Sequence, residues 1–69
     1  MNKRLLESKM KLFGDTNETL AAAIGRTPQS LSAKKNATKG ADFTQEEIFI
    51  IKERYSLTPD ELADIFFAS

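Results

Sequence analysis

The chain has 69 residues, with ten basic and ten acidic side chains, a formal net charge of zero, no cysteine and no histidine. That length carries one domain around one small core. The missing residue types exclude a disulfide framework and thiolate chemistry, and they remove the commonest general base and the commonest metal ligand.

The spacing of Leu5, Leu6, Met10 and Phe13 predicts a first helix over 2–13, with Lys3, Lys9 and Lys11 between the apolar positions. Charges run throughout this N-terminal stretch, so it does not read as a secretory signal. No apolar run approaches the ~18 residues of a membrane span. A cytoplasmic protein is therefore expected. Gly14-Asp15 breaks the first helix, and Thr16 or Asn17 caps the next.

The second helix is expected over 17–24, with Leu20, Ala21 and Ile24 on one face. Gly25 follows the last periodic residue, where a glycine ends a helix in the left-handed conformation. Thr27-Pro28 then opens a third helix over 28–35: the threonine hydroxyl caps, and proline suits the first helical position. Leu31 is the only large apolar residue of this third helix, so one face is pinned while Gln29, Ser30, Ser32 and Lys34 face solvent. So short and polar a helix does not form alone. The polar segment Asn36–Gly40 follows as a loop, whose Lys39 is a candidate phosphate contact.

Phe43-Thr44-Gln45-Glu46-Glu47 opens a fourth helix, expected over 45–55, with several devices at once. Thr44 and Glu47 have the spacing of a capping box, and Phe43 with Ile48 that of a hydrophobic staple. Ile48, Ile51 and Tyr55 share a face, while Phe49 and Ile50 lie off it; a helix apolar over that much of its circumference is expected to be central and buried. Thr58-Pro59-Asp60-Glu61 is a second cap with its own box, opening a fifth helix over 59–67 that turns Leu62, Ile65 and Phe66 inward. No stretch alternates as a strand does, and the expected architecture is an all-α, single five-helix domain.

Charge is unevenly distributed. Residues 1–40 hold eight basic and three acidic residues, a surplus of +5, and residues 41–69 hold two and seven, a deficit of −5. A polyanion would meet the first part as positive. Acids at helix starts suit the helix dipole and account for much of the second part.

The pair of short helices from Asn17 to Asn36, NETLAAAIGRTPQSLSAKKN, resembles the helix-turn-helix of phage repressors and Cro proteins. The matching features are the small Ala21, Gly25 in the turn, and Leu31 eleven residues after Leu20. FTQEEI at the start of the fourth helix and SLTPDELADIFF at the end extend the likeness from about Leu5 to Phe67. The chain looks like a small all-helical Cro-like regulator with a lambda-repressor-like domain. The resemblance implies a sequence-specific DNA-binding transcriptional regulator that lays the Pro28–Asn36 helix in the major groove of double-stranded operator DNA. Asn17 stands where many relatives have glutamine, so the target sequence does not carry over.

On that expectation Thr27, Gln29, Ser30 and Lys34 face bases or backbone, since glutamine matches an adenine edge and lysine favours guanine or phosphate. Asn17, Arg26, Lys35 and Asn36 are placed for phosphates, which set register. No cofactor, small-molecule ligand or membrane is expected as a partner. A weak homodimer formed on a pseudo-palindrome is one expectation, with Phe67 and part of the fourth or fifth helix as its surface; the other is that Phe67 tucks under the first helix beside Phe66. The alternative is an antirepressor or another protein-interaction module on the same fold, which zero net charge favours. Enzymatic activity is not expected. Asp60, Glu61 and Asp64 form the sole carboxylate cluster, and helix capping explains them.

Overall fold

Local capping chemistry fixes five helices in the computed structural model, which describes residues 2–36 and 43–67: α1 Lys3–Leu12, α2 Asn17–Ile24, α3 Pro28–Lys35, α4 Gln45–Arg54 and α5 Pro59–Phe66. Among the described residues there is no strand. Each helix starts on a side-chain oxygen that accepts a backbone N–H three residues on: Asn2, Thr16, Thr27, Thr44 and Thr58. Thr44 with Glu47 and Thr58 with Glu61 close capping boxes in both directions, as their spacing predicts. Thr16 is the cap of α2, and Thr19 completes its box. α2 and α3 match the expected spans, and α1, α4 and α5 end one residue inside them, with Phe13, Tyr55 and Phe67 as terminal caps.

Three helices close the same way. After α1, Asp15 N–H reaches the Met10 carbonyl; after α2, Arg26 N–H reaches that of Ala21; after α4, Leu57 N–H reaches that of Lys52. Each closure puts one residue in the left-handed region: Gly14 at φ +75°, Gly25 at +74° and Ser56 at +50°. This is the Schellman arrangement, and glycine adopts it without the Cβ penalty. Gly25 was legible in the sequence. Ser56 was not, because a serine there must be held left-handed against its own preference.

α2 packs closely on α3 and also on α4, and α1 lies against α5, where Asn2 N–H donates to the Ile65 carbonyl at 2.7 Å. Leu6 and Met10 from α1 meet Leu20, Ala21 and Ile24 from α2 in one core. Leu31 pins α3 to it, and Ile51, Tyr55, Ile65 and Phe66 enter from the other side. Phe43, ahead of α4, is buried and meets the Phe66 ring edge-on at 5.3 Å.

One expectation about burial is corrected. α4 is not buried all round: Ile51 is enclosed, Ile48 and Ile50 are partly covered, and Phe49 is 58 % exposed. α4 turns its Ile48–Ile51–Tyr55 stripe toward the core, and of the apolar residues beyond that stripe Ile50 still reaches the core edge while Phe49 stays at the surface. Phe13 is half exposed, its ring resting on Tyr55 at 5.2 Å, and the adjacent Leu12 is exposed. Residues 37–42, including Lys39, lie outside the described residues.

Candidate nucleic-acid interface

α3 is short, and its inner side is held by more than Leu31. Lys35 is only 4 % exposed. Its ammonium donates to Asn17 Oδ1 at 2.6 Å and to Glu7 Oε2 at 3.3 Å, while Asn17 Nδ2 donates to Ser32 Oγ at 3.2 Å. α1, α2 and α3 are thus tied through one lysine. Its neighbour Lys34 approaches Glu47 Oε1 at 3.2 Å and sits 5.8 Å from the centre of the Phe43 ring.

Glu47 gathers the second knot. Its carboxylate, 3 % exposed, accepts from Arg26 Nε at 2.6 Å and from the Thr44 N–H at 2.9 Å, besides pairing with Lys34. One side chain therefore joins the α2–α3 turn, the end of α3 and the start of α4. Burial pushes the Glu47 carboxyl up, but Arg26, the Thr44 N–H and Lys34 outweigh it and hold the group down at about 2. The bond to Glu47 raises the Arg26 guanidinium further above its ordinary value, and exposed Glu46 adds a weaker attraction.

A third acid, Asp15, closes the α1–α2 turn. It accepts from Arg54 Nε and Nη2, each at 2.7 Å, from the Tyr55 hydroxyl at 2.7 Å and from the Thr19 hydroxyl at 2.8 Å. The bidentate Arg54 pair outweighs burial and keeps Asp15 well below the usual carboxylate range. Burial, followed by the bond to Asp15, raises the Tyr55 phenol above its ordinary value. Lys9 on α1 pairs with Glu61 on α5.

The expected interface residues divide accordingly. Thr27 and Gln29 are exposed at the start of α3, and Ser30 is half-buried behind them. The Thr27 hydroxyl oxygen accepts the Ser30 N–H at 3.1 Å, which leaves its own O–H free to donate. The Arg26 side chain is 46 % exposed beside this group. Asn36 is exposed at the far end of α3, with its side-chain carbonyl taken by Lys3 Nζ at 2.7 Å. Lys35 does not stand on the outer face, because its ammonium is sequestered by Asn17 and Glu7. Lys34 is also drawn inward, with its side chain 14 % exposed against Glu47. Asn17 is engaged at both ends of its amide.

The charge asymmetry along the sequence is partly cancelled in space. Four of the eight basic residues in 1–40 end on carboxylates: Lys9 on Glu61, Arg26 and Lys34 on Glu47, and Lys35 on Glu7. In the reverse sense, Asp15 of the first part holds Arg54 of the second. Sequence reading identified Glu47 as a capping residue and Asp15 as part of a helix break but missed both as counter-ions, and it gave Glu7 no role. Their partners lie 21, 39 and 28 positions away, beyond any local signal.

Among the described residues no group of three His, Cys, Asp or Glu side chains is placed to hold a metal ion, and no helix is long and apolar enough to cross a membrane. Comparison of the chain with family models, with curated proteins and with solved structures finds no match.

Proposed function

We propose that this chain is a sequence-specific DNA-binding regulator of the Cro-like repressor kind, with α2 and α3 as a lambda-repressor-like helix-turn-helix. One observation carries the proposal. α3 is clamped from its inner side by Leu31, Lys34 and Lys35, and its outer side presents exposed hydrogen-bonding groups at Thr27 and Gln29 with no large apolar residue between them. A polar helix of eight residues does not hold its shape alone, so the clamp fixes the helix and leaves its outer side chains for a partner. Base edges in a major groove present the donors and acceptors that glutamine, threonine and serine match. Thr27, Gln29 and Ser30 read bases, and Arg26 and Asn36 meet phosphates. Lys34, Lys35 and Asn17 support the helix from within. The protein pairs on a two-fold site, half-sites about one helical turn apart.

A footprint on the DNA flanking the gene tests the reading, with a protected stretch as the expected result. Gln29→Ala should weaken binding to that stretch by about 1–3 kcal/mol and relax preference at one base position. An unprotected flank together with unchanged Gln29→Ala binding removes α3 as the reading helix.

The internal pairing of Lys9, Arg26, Lys34 and Lys35 favours a second reading, an antirepressor or other protein-interaction module, because it removes much of the positive field a duplex would meet. Salt separates the two. Phosphate contacts give an affinity that falls steeply with ionic strength, about 0.9 in logarithmic slope per contact.

A further inference from the structure

Arg26, Lys34 and Glu47 meet in one knot, and its members are unequally exposed. The carboxylate and the lysine are enclosed, at 3 % and 14 % side-chain exposure, whereas the arginine is at 46 %. Arg26 is therefore the member of the knot that meets solvent. The bond to Glu47 engages Arg26 Nε at 2.6 Å. A guanidinium has five N–H donors in a rigid planar fork, so a bond through Nε occupies one edge of the plane and leaves the end-on pair of N–H groups, one from each terminal nitrogen, for a second acceptor. Two parallel donors on a fixed plane match two oxygens of a phosphate. Glu47 is itself immobilised, because the Thr44 N–H and Lys34 hold its other oxygen. The arginine is thereby oriented before any ligand arrives, and it stands immediately before Thr27, the cap of α3.

We infer that Glu47 is a positioning residue which aims the Arg26 fork at a single phosphate of the DNA backbone, so that the start of α3 is registered against the duplex by one pre-set contact. The inference rests on the DNA-binding reading above. It assigns Lys34 to the internal counter-ion set and not to the DNA face. Preorganisation gives the contact its value, since an unrestrained arginine on the surface loses several rotatable bonds when it binds.

Exposed Glu46 supplies the control. It attracts Arg26 but no hydrogen bond joins the two, so it acts on an approaching phosphate as a plain negative charge. The two adjacent glutamates should therefore act in opposite senses. The measurement is binding to a mixed-sequence DNA duplex, which needs no knowledge of the operator, followed across a range of salt concentrations. Arg26→Gln should lower the logarithmic salt slope by about 0.9, the value of one phosphate. Glu46→Gln should tighten binding. Glu47→Gln should weaken it several-fold while retaining the slope, and should have no further effect in an Arg26→Gln background.

Tighter binding in both glutamate variants would make Glu47 merely a nearby charge and overturn the inference. So would a Glu47→Gln effect that persists without Arg26. If Glu47→Gln does not fold, Arg26→Lys gives an independent answer, since it keeps the charge and loses the oriented fork. It should restore the wild-type slope but stay several-fold weaker, and full wild-type affinity would overturn the positioning role. A wild type that binds no duplex fails the DNA reading and this inference with it. A wild type that binds, with a slope unchanged in Arg26→Gln, fails this inference alone.

Discussion

Lys35 and Phe67 invert the ordinary expectation for their side chains. The lysine is 4 % exposed and the phenylalanine 68 %. The difference divides the molecule. Around α1, α2 and α3, cations are drawn inward onto Asn17, Glu7 and Glu47, so the α2–α3 pair is braced by polar groups. Along α4 and at the end of α5, Phe49 and Phe67 stand at the surface, 58 % and 68 % exposed. Burial follows the partners that tertiary structure supplies. An ammonium with two oxygen acceptors can be enclosed, and a ring on the outer side of a helix stays outside.

The largest effect should come from breaking the lysine side of that contrast. Lys35→Ala removes the donor from the Asn17 carbonyl and from Glu7, and opens a gap beneath α3. A hydrogen bond to a charged group contributes about 1.5–3 kcal/mol, so a loss of that order is expected in denaturant unfolding. Were Lys35 a surface phosphate contact, the variant would keep its stability and lose salt-dependent binding instead. Lys35→Met should recover part of the loss, since it fills the volume but leaves Asn17 unpaired.

Acid should act on the same braced region. Glu47 is held at about 2 against an ordinary 4.5, and Asp15 is also lowered, chiefly by Arg54. Both groups ionise more readily in the folded chain than in the unfolded one. Their contribution is complete above about pH 4.5 and is lost as the pH falls toward 2. A melting temperature followed across that interval should decline, and the decline should be shallower in Glu47→Gln, which starts less stable and has one fewer carboxylate to protonate. An equally steep decline in the variant would place the acid sensitivity elsewhere. Glu61, lowered by Lys9, lies at the surface and adds little.

The turns sharpen the contrast in backbone terms. Gly25 and Ser56 close α2 and α4 with the same motif, one without a Cβ and one with it. A Cβ added at Gly25 would meet nothing within 4 Å, so any penalty there comes from the left-handed conformation itself. Gly25→Val should cost about 1–3 kcal/mol. Ser56→Gly should go the other way, by roughly 0.5 kcal/mol, because the relief of strain is offset by a more flexible unfolded chain. Opposite signs in two melting curves check the pair.

These elements also show where sequence reading succeeds. Caps, capping boxes and Gly25 are written in three or four adjacent residues, so the order and ends of the helices could be read directly. Leu31 could be read as an anchor because nothing else in α3 is apolar and large. The fate of Lys35 could not, since its acceptors are Asn17 and Glu7, in two other helices. Lys34 and Arg26 looked like free cations for the same reason, their carboxylate being on α4. Apolar periodicity marked Phe49 and Ile50 as off the main stripe of α4. How many neighbours cover a helix is a property of the assembled fold, and that decided their exposure.

The smallest effect on stability should fall at Phe67, and it bears on pairing. A buried phenylalanine truncated to alanine costs roughly 3–5 kcal/mol. At 68 % exposure little of that applies, and Phe67→Ala should melt within about 0.5 kcal/mol of wild type, as surface substitutions do. What the ring can still contribute is contact with a second copy. On the DNA-binding proposal a single reading helix spans only a few base pairs, so a two-fold site needs two copies, and an exposed ring beyond the end of α5 can contribute to a weak apolar contact between them. On that proposal Phe67→Ala abolishes cooperative occupancy of a two-fold site while binding to an isolated half-site is retained. The expected signature is thus an unchanged melt, an unchanged half-site affinity and a lost cooperative step. Cooperative binding that survives in a fully stable Phe67→Ala protein places the pairing surface elsewhere, and Phe49, 58 % exposed on α4, is the next residue to truncate.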